Sequence, residues 1–277
     1  MLMRNIAPHE LSRLLDIPVR ALRGGCMDRQ AKVDVSIVAS VELHQDPNAS
    51  IDLHSHTGNV VWDSAYILAK FISEHLPLEG IGVILVLDFS LMTISSSDLK
   101  KFCDHFFSEK TVLELGSGTG LVGISAWIAA AKLVILTDIS DTLELTRRNV
   151  ETNSERICAS RPAMRYAKNS IQVMPLTWGE TDRSQYKFTS DYPDYIFGSD
   201  IIYLKDIFNA LCQTLQAFSD PNTRIFLAYK QRGLMESDFF AIARDMGFDV
   251  QKVARNKINL EFRSSPEYII VEMRKTR

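Results

Sequence analysis

The sequence predicts an α/β fold built on a seven-stranded, mostly parallel, twisted sheet. From Lys110 onward, short apolar strands alternate with helices, and this pattern calls for a parallel sheet that is covered on both faces. The first of these strands leads directly into a glycine-rich loop at residues 116–123, which is typical of a ligand-binding turn between a strand and a helix. Two strand-like runs with only a turn region between them close the chain and predict an antiparallel terminal hairpin.

The strand and helix patterns also predict how the chain is divided. The predicted strands of the sheet are 111–115, 133–137, 171–176, 195–199, 224–229, 248–254 and 267–273. Before them, a short helix is predicted at 8–22 and a β-hairpin is predicted from strands at 32–38 and 50–54. We therefore expect an N-terminal extension at 1–56 and a main domain at 57–277, which contains an apolar insert of undetermined structure at 80–109.

A further helix is predicted just after the extension. Asp63 or Ser64 can cap its first turn, and the apolar residues after them recur at helical spacing. One face of the helix carries Ile67, Leu68, Phe71, Ile72 and Leu76. This face is expected to pack against the sheet.

Composition and charge exclude several classes of protein. A net charge of −3 without a basic stripe gives no reason to expect nucleic acid as a partner. The longest apolar run, residues 81–94, is too short to cross a membrane. Neither a C-x-x-C pair nor a third ligand near His54 and His56 is present, so we expect no metal site and a reducing, intracellular setting. The sequence thus predicts a monomeric cytoplasmic protein and leaves the nucleus open as a second location.

The glycine-rich loop can be read in two overlapping registers. In the first, Glu114 stands two residues before a glycine that recurs at every second position, and such an acid offers negative charge to a cationic methyl donor, S-adenosylmethionine. In the second, Gly118-x-Gly120-x-x-Gly123 matches the dinucleotide fingerprint on a helix N-terminus. Asp138, at the end of the second strand, can bind ribose hydroxyls in either case. The loop alone therefore leaves both cofactors open.

Residues farther along the chain favour the methyl donor. The strand at 195–199 ends in Asp200-x-x-Tyr203, which places an acid and a phenol at the carboxyl edge of the sheet, where open α/β sheets bind ligands. Trp178 falls at the same edge. Plainer interpretations exist: Asp200 as the cap of the next helix, Tyr203 as a half-buried tyrosine, and Trp62 and Trp178 as packing tryptophans.

The chain resembles the seven-β-strand protein-lysine methyltransferases of methyltransferase family 16. Within that family it is most similar to the branch that methylates chaperone-like ATPases such as valosin-containing protein. The resemblance covers roughly residues 57–271 apart from the insert. The matching segments are Asn59-Val-Val-Trp-Asp-Ser-Ala65 with Leu68-Ala-Lys70, the loop at 112–123, Thr137-Asp138, Leu176-Thr-Trp-Gly-Glu180, Gly198-Ser-Asp-Ile-Ile-Tyr203 and Tyr229-Lys-Gln-Arg232.

The resemblance implies a role for individual residues. It implies that Gly116, Ser117 and Gly118 line the methionine part of S-adenosylmethionine and that Asp138 holds the ribose. It places Trp178 near the adenine. The remaining implied site residues are Ser199 in the wall beside the adenine, Trp62 closing the pocket from the N-terminal side, and Asp200 and Tyr203 shaping the lysine channel.

Together, these observations predict a Rossmann-like S-adenosylmethionine-dependent protein-lysine N-methyltransferase. Its expected partner is a protein that carries the target lysine, and the resemblance favours a chaperone-like ATPase. Three alternatives stay open at this point: a methyltransferase for a non-lysine or small-molecule acceptor, an NAD-linked oxidoreductase, and a cofactor-binding interaction module without catalysis.

Overall fold

A computed structural model describes residues 30–36, 39–46, 60–74, 76, 107–160 and 170–276. The predicted helix at 8–22, the predicted strand at 50–54, His54, His56 and residues 80–106 of the insert lie outside this set. The strands are β1 (Gln30–Ser36), β2 (Ala39–His44), β3 (Thr111–Leu115), β4 (Leu133–Asp138), β5 (Ile171–Pro175), β6 (Tyr195–Ser199), β7 (Arg224–Lys230), β8 (Phe248–Lys252) and β9 (Tyr268–Lys275). The described helices are α1 (Asp63–Glu74), α2 (Leu121–Ile128), α3 (Leu143–Ser160), α4 (Phe208–Phe218), α5 (Glu236–Asp245) and α6 (Leu260–Arg263).

The main sheet has the strand order β5-β4-β3-β6-β7-β9-β8. The pairs among β3 to β7 are parallel, and β9 is antiparallel to both β7 and β8. The predicted seven-stranded, mostly parallel sheet is therefore confirmed. The strand order reverses between β3 and β6, and such a reversal opens a crevice at the carboxyl ends of the two strands.

The connection between β8 and β9 differs from the prediction. Instead of a turn, residues 253–267 contain a 3₁₀ turn and the short helix α6, and β9 inserts between β7 and β8. One side chain organises this connection: the Arg255 guanidinium donates hydrogen bonds to four backbone carbonyls. The acceptors are Phe262, Arg263, Ser265 and Tyr268. The predicted antiparallel pairing of β8 and β9 is confirmed. The predicted turn between them, on which that expectation rested, is wrong.

The core lies in two layers, one on each face of the sheet. Adjacent residues of β3 belong to different layers: Val112 packs with α1 and α2, while Leu113 packs with α4 and α5. This is the two-residue alternation of a strand that is buried on both sides. The predicted apolar face of α1 is also confirmed, since Ile67, Leu68 and the other residues named for it are buried.

An N-terminal hairpin is present, and its second strand is β2, which pairs antiparallel with β1. The sequence patterns did not indicate β2, and the predicted partner strand at 50–54 lies outside the described residues. The outer edge of β2 is covered by two asparagines of α3: Asn153 pairs with both backbone groups of Glu42, and Asn149 does the same with His44. The hairpin thus packs on the main domain, and the division at residue 56 stays a prediction. No helix among the described residues is long and apolar enough to cross a membrane.

Candidate active site

The loop between β3 and α2 passes close to the ligand pocket because it contains a glycine. Gly116 has φ +63, and an added Cβ would lie 2.7 Å from Cγ2 of Ile201 and 3.1 Å from Cζ2 of Trp178. Positive φ is unfavourable for other residues, and the surrounding side chains leave no room for a methyl group. The backbone at Gly116 therefore forms part of the pocket wall itself.

Asp138 ties the end of β4 to this loop. Its Oδ2 accepts a hydrogen bond from the N–H of Gly118 at 2.8 Å, and its Oδ1 accepts one from the N–H of Ile139 at 2.8 Å. Burial raises the pKa of Asp138, while the two backbone bonds act in the opposite direction. The carboxylate is held rigidly by these bonds and lines the pocket. It does not cap the 3₁₀ turn that begins at Ser140.

Glu114 lies behind the loop, with only 1% of its surface exposed. Its Oε2 accepts the N–H of Gly123 at 2.7 Å, which fastens the first turn of α2 to β3. Burial raises the pKa of Glu114 to about 8, which favours the neutral form of the group. In the structure Glu114 holds the loop in place, and the expectation that it offers negative charge to a cation stays a prediction.

A single pocket brings together seven of the ten predicted site residues. These are Trp62, Gly116, Asp138, Trp178, Ser199, Asp200 and Tyr203. Glu114, Ser117 and Gly118 do not line it, so their direct contact with a ligand stays a prediction. The pocket opens where β3, β4 and β6 end, which is the crevice expected from the strand order.

The carboxylate of Asp200 is buried at the end of β6, with 6% of the side chain exposed. Its Oδ1 accepts the N–H of Lys230 at 3.1 Å and Nη1 of Arg232 at 2.9 Å. Its Oδ2 is buried and has no hydrogen-bond partner among the described residues. The next helical turn begins after Leu204 without a side-chain cap. The interpretation of Asp200 as a helix cap is therefore wrong.

Arg232 is a pocket residue that the sequence-based site did not include. Its guanidinium pairs with Asp200 and lies 5.3 Å from the ring centroid of Trp62. Its position two residues after β7, at the same carboxyl edge as Asp200, is a signal that could have identified it. The segment from Tyr229 to Arg232 was part of the family resemblance, but it was given no role.

Trp62 is held in place through the residue next to it, Asp63. Asp63 begins α1 and accepts a hydrogen bond from the hydroxyl of Tyr268 in β9. Burial, together with this bond, raises the pKa of Tyr268 well above its usual range. The start of α1 is therefore attached to the sheet, and Trp62 is held over Arg232. Trp62 and Trp178 are both half-buried on the pocket wall rather than enclosed in the core.

Residues 45–245 match the model of one protein family, described as lysine methyltransferase. This match covers well over half of the chain. The chain belongs to the lysine methyltransferase family. EEF1A lysine methyltransferase 3 of Xenopus tropicalis is 38% identical over 154 residues, 54% of this chain and 61% of that protein. Protein N-lysine methyltransferase METTL21A of Danio rerio is 33% identical over 198 residues, 70% of each protein.

Among solved structures, the chain is similar to a TehB-like SAM-dependent methyltransferase from Corynebacterium glutamicum. The TM-score is 0.43 at 12% sequence identity, over 60% of this chain and 80% of that one. Membership of the lysine methyltransferase family decides between the two registers of the glycine loop in favour of S-adenosylmethionine.

The pocket residues of this methyltransferase fit its methyl donor. Among the described residues, the charged side chains in the lining are two carboxylates, Asp138 and Asp200, and one guanidinium, Arg232. This excess of negative charge attracts a cationic sulfonium and repels the two negative charges of a dinucleotide pyrophosphate. Asp138 would hold the ribose, the backbone at Gly116 would lie against the methionine part, and the half-buried Trp178 offers an apolar face to the adenine.

Proposed function

We propose that this chain transfers methyl groups from S-adenosylmethionine to the ε-amine of a lysine in a protein substrate. One observation carries the proposal: Asp200 and Tyr203 line the same pocket as Asp138 and Trp178. An acid and a phenol thus stand beside the residues suited to the cofactor, where a primary amine can be hydrogen-bonded.

Most of the catalysis is expected to come from positioning, because methyl transfer to an amine is an in-line displacement. S-adenosylmethionine supplies a methyl group on a cationic sulfur, and the amine that accepts it takes up the positive charge. Asp200 and Tyr203 orient the amine through hydrogen bonds. The carboxylate of Asp200 and the ring face of Tyr203 then stabilise the charge that develops on nitrogen.

The lysine must be neutral when it accepts the methyl group. A free lysine has a pKa of about 10.4, and enclosure in an apolar channel lowers it toward neutral pH. The pocket provides such an enclosure through the aromatic side chains of Trp62 and Tyr203 and the aliphatic side chains of Ile201 and Ile207. The proton is released to water before the amine reaches the methyl group.

Two classes of protein are candidate substrates. The name of the Xenopus tropicalis relative points to the translation factor EEF1A, and the family resemblance points to a chaperone-like ATPase such as valosin-containing protein. We further propose that the enzyme is a monomer in the cytoplasm, with the nucleus as a second candidate location, and that residues 1–56 form an extension of the catalytic domain.

The test begins with cofactor binding and continues to transfer. Isothermal titration is expected to give micromolar binding of S-adenosylhomocysteine and no binding of NAD. The protein is then incubated with tritiated S-adenosylmethionine and either recombinant EEF1A, recombinant valosin-containing protein or whole-cell lysate, and mass spectrometry locates the methyl groups. Label on lysine supports the proposal. Label found only on other residues or small molecules supports the alternative acceptor and overturns it.

Asp200→Ala tests the proposed orienting role of this carboxylate. Transfer is expected to fall by at least about a hundredfold, because the amine loses its charged acceptor, while the Kd of S-adenosylhomocysteine changes by less than about threefold. Asp206→Ala is the matched control, since Asp206 is exposed in the next turn and lies outside the pocket lining. Normal transfer by Asp200→Ala would remove Asp200 from the mechanism.

A further inference from the structure

Asp200 and Arg232 form a nearly enclosed ion pair on the pocket wall. The distance from Nη1 of Arg232 to Oδ1 of Asp200 is 2.9 Å, and only 10% and 6% of the two side chains are exposed. Nη1 also lies 3.3 Å from the carbonyl oxygen of Lys230. A lysine that enters the proposed channel therefore meets a carboxylate that is already paired with a cation.

Arg232 is fixed from three directions, so it is a built part of the site. Trp62 lies against its guanidinium at 5.3 Å, and its backbone N–H donates to the buried Oε1 of Glu236 at 2.7 Å. Arg232 thus bridges the wall formed by Trp62 and the wall formed by Asp200. Its planar guanidinium can stack on an indole and donate to a carboxylate at the same time, whereas the ammonium of a lysine is a single point charge.

An unpaired Asp200 would work against the reaction. An opposite charge at about 4–6 Å favours the charged form of a titrating group, by 1–3 pKa units. A lone carboxylate beside the lysine would therefore keep the lysine as an ammonium, which has no electron pair for the methyl group. It would also strengthen the binding of the cationic product. The reaction therefore requires that the oxygens of Asp200 accept hydrogen bonds while the negative charge of this carboxylate is balanced by a cation.

We infer that Arg232 is a positioning residue that acts through Asp200: it neutralises the carboxylate so that the substrate lysine binds as a neutral amine. The inference rests on the proposed lysine methyltransferase function and adds a device that sets the protonation state of the substrate. Oδ1 of Asp200 is taken by Arg232 and the backbone of Lys230, and its buried Oδ2 is the acceptor oxygen that no described residue uses.

Other charged and titratable groups surround the pair, and they do not change the sign of this effect. They are Asp63 on α1, Lys230 at the end of β7, Glu236 on α5, Glu267 just before β9, Tyr268 at the start of β9, Tyr203 after β6, and Asp138 across the pocket. The carboxylate of Glu236 accepts the N–H of Arg232, and that of Asp63 accepts the hydroxyl of Tyr268. The only cation among these described neighbours is Lys230, whose Nζ lies 5.7 Å from the ring of Tyr268. Loss of Arg232 therefore leaves the surroundings more negative.

Two variants separate the charge of Arg232 from its hydrogen bond. Arg232→Gln retains an N–H donor for Asp200 and removes the charge, while Arg232→Lys retains the charge. Arg274→Gln is the control, since it removes an exposed arginine that pairs with Glu272 outside the pocket lining. Circular dichroism and thermal melts verify that each variant folds. Arg232→Gln keeps a hydrogen bond to Asp200, and Arg232→Lys keeps an ion pair with it. Neither variant therefore leaves the buried carboxylate without a partner, and both are expected to fold.

The first measurement needs no substrate protein. Sinefungin carries an ammonium in place of the methyl-bearing sulfonium, whereas S-adenosylhomocysteine is neutral at that position. At pH 7, Arg232→Gln is expected to increase the preference for sinefungin over S-adenosylhomocysteine by about tenfold, because a carboxylate without its cationic partner attracts a cation. Arg232→Lys and Arg274→Gln are expected to keep the wild-type ratio. A purely structural role of Arg232 would weaken both ligands alike and leave the ratio unchanged.

The second measurement is the pH dependence of kcat with a protein substrate that the enzyme methylates. The acid limb of kcat reports the protonation of the bound lysine, and in Arg232→Gln it is expected to move up by about one pH unit, with activity recovering at alkaline pH. The inference would be overturned if Arg232→Gln moved neither the acid limb of kcat nor the ratio of sinefungin to S-adenosylhomocysteine binding. It would also be overturned if Arg232→Gln and Arg232→Lys moved the acid limb by the same amount. If the ratio changes as expected but no lysine is methylated, the proposed function fails while the charge balance of the pocket stands.

Discussion

The carboxyl group of Glu114 accepts the N–H of Gly123 at 2.7 Å, in a site where 1% of the glutamate is exposed. This bond joins the centre of the sheet to the helix after the glycine loop. Its Oε1 has no hydrogen-bond partner among the described residues. Burial raises the pKa of Glu114 from its ordinary 4.5 to about 8, so folding and protonation of this group are linked.

The linkage predicts how Glu114→Gln changes stability with pH. The folded-state pKa of this acid is raised, so between pH 4.5 and about 8 the unfolded chain is ionised while the folded chain retains the proton. The wild type therefore loses stability as pH rises through this window, by about 1.4 kcal/mol per unit and on the order of 3 kcal/mol at pH 7. Glutamine keeps an acceptor for Gly123 and cannot ionise. The stability of the variant relative to wild type should rise across the window, measured by urea denaturation at several pH values.

Glu109→Gln is the control for this series. The carboxylate of Glu109 is 78% exposed and pairs with Lys132 on the surface, so its removal should have little effect at any pH. A difference between Glu114→Gln and wild type that stays constant from pH 5 to pH 8 would contradict the linkage. It would mean that Glu114 is ionised in the folded protein at neutral pH.

Gly116→Ala should block the pocket and strain the backbone at once. The new methyl group would lie 2.7 Å from Ile201 and 3.1 Å from Trp178, at φ +63. We expect a stability loss of about 1–2 kcal/mol from the backbone alone and at least a tenfold rise in the Kd of S-adenosylhomocysteine. Thermal melts and isothermal titration measure the two effects.

Gly247→Ala distinguishes the effect of backbone strain at positive φ from the effect of a methyl group that obstructs the pocket. Gly247 has φ +88, and an added Cβ would meet only the Thr276 side chain, at 3.8 Å. Because this glycine lies outside the pocket lining, the variant should lose similar stability and bind S-adenosylhomocysteine normally. Equal binding by both variants would show that the close approach at Gly116 does not shape the ligand site.

The sheet and the position of the site could be predicted because they depend on local patterns. The apolar alternation of β3 to β7 and the βα order determine a parallel sheet, and the carboxyl edge then collects Asp138, Trp178 and Asp200. None of these steps requires knowledge of a long-range contact. The same reasoning places Tyr203 at that edge.

The remaining features depend on side chains that meet only in the folded chain. Arg232 reaches Asp200 across 32 positions of sequence, and Asp200 adopts φ +51, which no residue pattern indicates. The connection from β8 to β9 is shaped by four carbonyls that converge on Arg255. β2 is a short strand, and the backbone N–H groups on its outer edge donate hydrogen bonds to asparagines more than a hundred residues away. Hydrophobic periodicity carries no information about such polar contacts.

Asn153→Ala should loosen the N-terminal hairpin without unfolding the main domain. The fully buried Asn153 amide binds both the N–H and the carbonyl of Glu42, so its removal leaves two backbone groups of β2 without their partners. We expect a cost of about 1–3 kcal/mol and faster hydrogen exchange at the Glu42 amide. Glu151→Ala, an exposed change on the same helix, is the control.

Asn149→Asp extends this test to the glycine loop. The Asn149 amide donates to the carbonyls of both His44 and Thr119, so it connects the hairpin with the loop that lies beside the cofactor pocket. A carboxylate at this position would face two carbonyl oxygens in a buried site and repel both. We therefore expect faster exchange at the His44 amide together with weaker binding of S-adenosylhomocysteine, whereas Asn153→Ala should affect exchange alone. Unchanged cofactor binding in Asn149→Asp would mean that the hairpin and the loop are held independently.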